Sequence, residues 1–241
     1  MNSTLTSITK NFINLIYPMR CASCGKDLDS MNEAGVCAFC IGRIRRNPKP
    51  HCHSCGRSIT DGQNPCRECV KADFVFTRAY SACLYEDPLK GLISEFKYKK
   101  KIRLAKILSQ QLVSFVNDDP DILDGIDLMT FVPLCKESLR ERGFNQAKLL
   151  ADAISKDFDI PVADVLKKTK RTVFQHALSR DERMTNLNSA FSVRDPISIK
   201  NISILLVDDV MTTGTTLNEC SKVLLNSGVK DVKCLTLARG I

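Results

Sequence analysis

The first 70 residues contain four Cys-x-x-Cys pairs, and this repeat restricts the fold of the chain more than any other feature. The pairs begin at Cys21, Cys37, Cys52 and Cys66, so the pattern consists of two similar halves. Two thiolates at this spacing converge from one tight turn onto one ion, and two such turns supply the four sulfur ligands of a closed zinc site. The spacing therefore predicts a double zinc ribbon.

We expect two structural zinc ions, because a segment this short cannot bury enough apolar surface to fold without metal. A closed four-thiolate site has no open position at which water could be activated. The pairing in chain order places Cys21, Cys24, Cys37 and Cys40 on one ion and Cys52, Cys55, Cys66 and Cys69 on the other. A crossed pairing of the four turns is the alternative.

The remaining composition is that of a globular protein with a basic excess. The 241 residues include 35 Lys and Arg against 27 Asp and Glu, and 44% are hydrophobic, which excludes disorder throughout the chain. A net charge of +8 suits an anionic ligand or a nucleic acid.

No apolar run reaches the roughly 20 residues that span a bilayer, and the N-terminus lacks the basic and apolar regions of a signal peptide. We therefore expect a cytoplasmic protein with reduced thiols and no membrane span. Apolar residues between Leu5 and Ile16 recur at helical spacing and predict a short amphipathic helix on the body of the protein, with a membrane-surface anchor as the alternative.

Strand and helix patterns alternate beyond Phe76, which predicts a parallel sheet with helices on its faces. The predicted strands are Arg78–Leu84, Leu128–Pro133, Ser203–Val207 and Lys233–Leu237. The predicted helices are Pro88–Tyr98, Ile102–Asn117, Ala147–Asp157 and Thr216–Ser227. We expect residues 1–72 to form the cysteine module with its N-terminal helix and residues 73–241 to form an α/β domain.

One strand-to-helix junction has the composition of an anion site. The apolar stretch 204–207 is followed by Asp208 and Asp209, and then by the segment Thr-Thr-Gly-Thr-Thr at 212–216, which opens a helix. Amides at a helix N-terminus lack partners and bind phosphate, and threonine hydroxyls add further donors. Carboxylates would repel that phosphate, so they indicate hydroxyls or a metal beside it, as in a ribose 5-phosphate.

The segment from Asp208 to Thr216 resembles the phosphoribosyl pyrophosphate (PRPP) signature of type I phosphoribosyltransferases. Residues 132–147 (VPLCKESLRERGFNQA) and 175–191 (QHALSRDERMTNLNSAF) resemble segments of ComF-type competence proteins, which also carry an N-terminal cysteine module. The resemblance implies the type I phosphoribosyltransferase fold, a central parallel sheet flanked by helices with a hood over the site.

This resemblance also implies a function and a set of ligand contacts. It implies a PRPP-binding, phosphoribosyltransferase-like protein that handles incoming single-stranded DNA in natural transformation, with an unidentified acceptor, Mg²⁺ beside PRPP, and a competence helicase or other DNA-processing protein as partner. The alternative is a non-catalytic adaptor that binds single-stranded DNA. The expected PRPP contacts are Asp208, Asp209, Met211, Thr212, Thr213, Gly214, Thr215 and Thr216, and the two aspartates are also the candidate catalytic residues.

Basic segments supply three further expectations. The resemblance places the family's pyrophosphate loop at the turn after the strand Leu128–Pro133. Arg140 and Arg142 follow this turn and are candidates for contacting the leaving group, with a basic helix face as the alternative. Residues 167–183 are expected to form the hood. The candidate contacts to single-stranded DNA are Lys97, Lys99, Lys100, Lys101 and Arg103. A solvated helix end is the alternative for this run, and Lys97 has the further option of facing the PRPP pocket.

Overall fold

The computed structural model describes residues 19–29, 32, 34–168, 190–194 and 199–240. The amphipathic helix predicted between Leu5 and Ile16, and the predicted hood beyond residue 168, lie outside the described residues. Among the residues that are described, no helix has the length and apolar character that crossing a bilayer requires.

A four-stranded parallel sheet forms the centre of the protein. The strands of the described residues are β1 (Arg78–Leu84), β2 (Leu128–Phe131), β3 (Leu166–Lys168), β4 (Phe191–Val193), β5 (Ser203–Met211) and β6 (Asp231–Arg239). The sheet has the order β1-β6-β5-β2, and β3 pairs with β4 as a separate antiparallel hairpin. Long strand β5 therefore lies in the interior of the sheet, between β6 and β2.

Helices cover both faces of this sheet. The helices of the described residues are α1 (Ala38–Gly42), α2 (Arg67–Val70), α3 (Leu89–Tyr98), α4 (Leu104–Asp118), α5 (Lys136–Arg142), α6 (Gln146–Phe158) and α7 (Thr215–Asn226). Helices α3, α4 and α6 pack on the face that receives Leu205 and Val207, whereas α7 packs on the opposite face with Ile204 and Leu206. Alternate residues of β5 thus enter two separate apolar layers.

The predicted α/β fold is confirmed. Strand β1 has the predicted bounds, and α3, α4, α6 and α7 each end within two residues of the predicted positions. Strand β5 continues past the predicted end at Val207 to Met211, because Asp208 and Val210 still pair with Thr236 and Ala238 of β6.

The cysteine module is joined to the sheet by backbone and side-chain contacts. The amide of Asn47 donates to the carbonyl of Ala82 at 3.0 Å, and its buried side chain donates to the carbonyls of Gly56 and Ser81. Cys21 and Cys40 share the apolar layer of α3 and α4, whereas the cysteines of the second half share the layer of α7. Residues on the two sides of the expected boundary at residue 72 therefore share the same two apolar layers.

Candidate functional site

The turn between β5 and α7 presents unpartnered backbone amides at a helix N-terminus. Thr215 donates its amide weakly to the Thr213 hydroxyl at 3.4 Å. Within the described part of the chain, the amides of Thr212, Thr213, Gly214 and Thr216 donate to no other group. All four threonines are exposed. The turn can therefore receive an anion on its amides and hydroxyls.

Gly214 allows this turn its tight geometry. Its φ is +81°, and an added Cβ would lie 2.6 Å from Cε of Met211 and 2.9 Å from the ring of Phe74. Phe74 in turn stacks on Phe76, with ring centroids 4.8 Å apart, so the space beside Gly214 is filled by a packed aromatic ring. Any side chain at Gly214 would therefore strain the backbone of the turn and push against Met211 and Phe74.

Residues outside the predicted site hold the turn from behind. Buried Arg239, at the end of β6, donates to the carbonyl of Met211 at 2.9 Å and also to the carbonyl of Thr212. Asn218 accepts from the amide of Val75 at 2.8 Å, which ties the segment after the cysteine module to α7. Sequence reasoning missed Arg239, Asn218 and Phe74, although a basic residue ending an apolar strand is a signal for the first.

The two acids lie inside β5, beside the turn, and meet a lysine from α3. Nζ of Lys97 is 2.8 Å from each carboxylate oxygen of Asp209, and both side chains are largely buried. Asp209 also donates its amide to the Asp208 carboxylate at 2.8 Å. The structure therefore places the ammonium of Lys97 beside the two acids, away from the outer basic patch formed by Lys99, Lys100, Lys101 and Arg103.

Burial and the nearby charges shift the pKa values of Asp208 and Lys97. Burial, with the negative charge of Asp209 beside it, raises the pKa of Asp208 to about 7. Burial alone would lower the pKa of Lys97, but the charge and hydrogen bond of Asp209 outweigh this and raise it. Lys97 is therefore protonated at neutral pH, whereas the carboxyl group of Asp208 titrates near neutral pH.

The two candidate pyrophosphate residues lie on α5 in different surroundings. Arg142 donates to the side-chain oxygen of Gln146 at 3.0 Å and lies over the ring of Tyr98, 5.2 Å from its centroid. Arg140 is exposed. The neighbouring Asn145 accepts from two amides at the start of α6, so its side chain serves as a helix cap.

The outer basic patch is smaller than its sequence indicates. Lys99 and Lys101 both contact Glu95, at 2.7 and 2.6 Å. Lys100 is exposed with φ +55°, and Arg103 contacts the sulfur of Met19. One carboxylate, that of Glu95, therefore pairs with two of the five candidate residues, and Asp209 pairs with a third, Lys97.

Each half of the cysteine module brings four sulfur atoms together in chain order. The two sets are Cys21, Cys24, Cys37 and Cys40, and Cys52, Cys55, Cys66 and Cys69, and within each set all sulfurs lie within 4.8 Å of one another. Tetrahedral zinc with bonds of about 2.3 Å holds its sulfurs about 3.8 Å apart. The Cys24–Cys37 and Cys55–Cys66 distances are 3.7 and 3.8 Å.

The two halves also repeat their backbone hydrogen bonds. Cys37 and Cys66 donate their amides to the sulfurs of Cys21 and Cys52 at 3.4 and 3.3 Å. Amide hydrogen bonds of this kind stabilise a thiolate. Both sets therefore fit a closed, structural zinc site.

Comparisons with known proteins agree with both parts of this geometry. Residues 144–241 match the family described as phosphoribosyl transferase domain, and residues 12–70 match the double zinc ribbon domain. Over 235 residues the chain is 32% identical to competence protein F of Haemophilus influenzae, covering 95% of this chain and 99% of that protein.

The chain belongs to the competence protein F family. A second relative, DNA utilization protein YhgH of Escherichia coli strain K12, is 31% identical over 93% of this chain and 99% of its own length. Competence protein ComFC of Streptococcus pneumoniae is 24% identical over 92% of this chain and its full length. This relative of competence protein F therefore combines the type I phosphoribosyltransferase fold with a double zinc ribbon.

Proposed function

We propose that this protein binds PRPP at the turn 212–216 and acts as a phosphoribosyltransferase-like protein in natural transformation, handling incoming single-stranded DNA in the cytoplasm. The observation that carries the proposal is the row of unpartnered amides directly beside two acids, the half-buried Asp208 and the buried Asp209. A phosphate alone would need only the amides. A sugar phosphate would use the amides and the carboxylates, because its phosphate accepts from amides while its hydroxyls donate to carboxylates.

In this proposal the 5-phosphate of the sugar lies on residues 211–216 and the ribose hydroxyls contact Asp208 and Asp209. Carboxylate oxygens are the ligand type that Mg²⁺ takes, and Mg²⁺ at nucleotide sites is shared with substrate oxygens. Asp208 is the more available carboxylate, since both oxygens of Asp209 face Lys97. When bound there, Mg²⁺ would neutralise part of the pyrophosphate charge.

The proposed transfer breaks the bond between C1 of the ribose and the pyrophosphate oxygen, while an acceptor nucleophile forms the new bond to C1. Negative charge then collects on the leaving pyrophosphate and has to be met by cations. Arg140 and Arg142 lie on α5, the helix that follows β2. The side chain of Arg142 is held by a hydrogen bond to Gln146, at the start of α6. We assign these two arginines to the pyrophosphate side.

The names of the relatives supply the process. One is called a competence protein and another a DNA utilization protein, and both match this chain over nearly its full length. The exposed basic residues between α3 and α4 suit the phosphates of a single strand. We include a helicase or other DNA-processing protein of the competence machinery as the proposed partner.

The second candidate function is a non-catalytic adaptor that binds single-stranded DNA and uses the pocket for a 5′-phosphate or for PRPP as a regulatory ligand. It is favoured by the Lys97–Asp209 ion pair, because an acid that already pairs with a lysine is less available to the ribose hydroxyls or to Mg²⁺. Release of pyrophosphate from PRPP separates the two, because only a pentosyl transferase requires it.

Calorimetric titration with PRPP, with and without Mg²⁺, tests the proposal, and Asp208→Ala with Asp209→Ala is the matched variant. We expect binding by the natural protein and loss of binding by the double variant. Pyrophosphate release in the presence of candidate acceptors then identifies a transferase. Equal heats for both proteins, or none for either, would overturn the PRPP site.

A further inference from the structure

Tyr98 is an aromatic side chain held open to solvent beside the proposed PRPP pocket. Its exposure is 69%, although it follows Lys97, whose ammonium enters the pocket, and ends helix α3. The preceding aromatic residue of the helix, Phe96, is fully buried against Phe144. The helix therefore directs one aromatic ring into the core and leaves the next one on the surface.

The ring of Tyr98 is also fixed in position. The guanidinium of Arg142 lies 5.2 Å from its centroid, and Arg142 is itself anchored by the side chain of Gln146, which is 2% exposed. Such a cation–π contact covers part of a ring while keeping it oriented. An exposed ring that is already oriented loses little entropy when a flat partner stacks on it.

The charges around this ring suit a polyanion. Lys100 is exposed two positions after Tyr98, and the ion pairs of the described residues give it no acidic partner. Arg142 adds a second positive charge at the ring itself. Single-stranded nucleic acids bind where aromatic rings stack their bases and neighbouring cations contact their phosphates.

We propose that Tyr98 is a stacking platform for one unpaired base of single-stranded DNA, seated beside the proposed PRPP site, with Lys100 contacting a flanking phosphate. This inference rests on the proposed function and names the strand's docking point. Lys97 and Tyr98 both lie in the last turn of α3, so the platform belongs to the same turn of helix that reaches Asp209.

The test compares two oligonucleotides of twelve nucleotides, one of thymidines and one with all bases replaced by abasic tetrahydrofuran units. Fluorescence anisotropy at fixed salt measures the affinity of each. Stacking is worth about tenfold in affinity for one base, so we expect the natural protein to prefer the oligonucleotide with bases by at least that factor. Tyr98→Leu is expected to reduce this preference about tenfold, and Tyr98→Phe to keep it.

Phe39 offers a matched control, because it is 65% exposed and also lies beside cations, Lys26 and Arg43, but on the cysteine module. Phe39→Leu is expected to leave the preference unchanged. An unchanged preference in Tyr98→Leu, an equal loss in Phe39→Leu, or no preference in the natural protein would each overturn the platform. PRPP titration of the natural protein keeps the two proposals distinct, because absence of PRPP binding would overturn the proposed function, whereas an unchanged base preference in Tyr98→Leu would overturn the platform.

Discussion

The ammonium of Lys97 lies 2.8 Å from both carboxylate oxygens of Asp209, across 112 positions of sequence. The pair joins the last turn of α3 to the end of β5, so it fixes the position of the acids relative to the turn 212–216. It also compensates the negative charge of one of the two acids. In the proposed PRPP complex, the acids would therefore accept hydrogen bonds from the ribose hydroxyls with less repulsion of the neighbouring phosphate.

Lys97→Met is expected to lower the free energy of unfolding at pH 8 by about 3 kcal/mol, because it leaves Asp209 buried without its partner. Chemical denaturation measures this. Adding Asp209→Asn is expected to recover most of the loss, since the unpaired charge is then removed. Lys99→Ala, which breaks an exposed contact to Glu95, is the control and should cost less than about 1 kcal/mol. Additive effects of the first two substitutions would contradict the pairing.

Asp208→Asn is expected to stabilise the protein at pH 8, and by progressively less as the pH falls toward 4. The pKa of Asp208 is about 7 in the folded protein against an ordinary 3.8, so between these values the folded state binds the extra proton. Wild-type stability from this group therefore rises as the pH falls through that window, and asparagine removes the dependence. Denaturation curves at several pH values measure the difference, which would be constant if Asp208 titrated normally.

Gly214→Ala is expected to reduce PRPP affinity more than tenfold, because the new methyl group meets Met211 and Phe74 and shifts the turn. Gly125→Ala is the matched control. Its φ is also positive, +68°, but no atom lies within 4 Å of the added methyl group. We expect this variant to lose about 1 kcal/mol of stability and to bind PRPP normally. Equal affinity of the two variants would show that the turn does not hold the phosphate.

Elemental analysis of the purified protein is expected to find two zinc ions. Cys40→Ala and Cys55→Ala should each lose one of them, because each removes a ligand from a different set. Cys234→Ala is the control, since this cysteine is equally buried but lies in β6, outside both sets. Loss of zinc should also destabilise the sheet, because both sets share its apolar layers. A zinc content near zero in folded protein would contradict the ribbon.

Periodicity located the sheet well, because its strands are short apolar runs and its helices have one apolar face. It missed α5, which buries no residue and therefore has no apolar face to detect. It also ended β5 at the first acid, since two carboxylates inside a buried strand are unfavourable unless a cation such as Lys97 meets them.

The site was predictable only in part, for a similar reason. The phosphate-binding turn is a local pattern, and so are the Cys-x-x-Cys pairs. By contrast, Arg239, Phe74 and Lys97 reach the turn and the acids from distant positions. The sequence leaves the direction of Lys97 open between two alternatives, and it contains no signal for Phe74. The basic run from Lys97 to Lys101 likewise predicts a patch but not its neutralisation by Glu95.

A crystal structure of the protein with PRPP and Mg²⁺ tests the central claim most directly. The account predicts that the 5-phosphate accepts hydrogen bonds from the amides of residues 212–216 and that the ribose hydroxyls contact Asp208 and Asp209. PRPP bound elsewhere, with this turn empty, would contradict it.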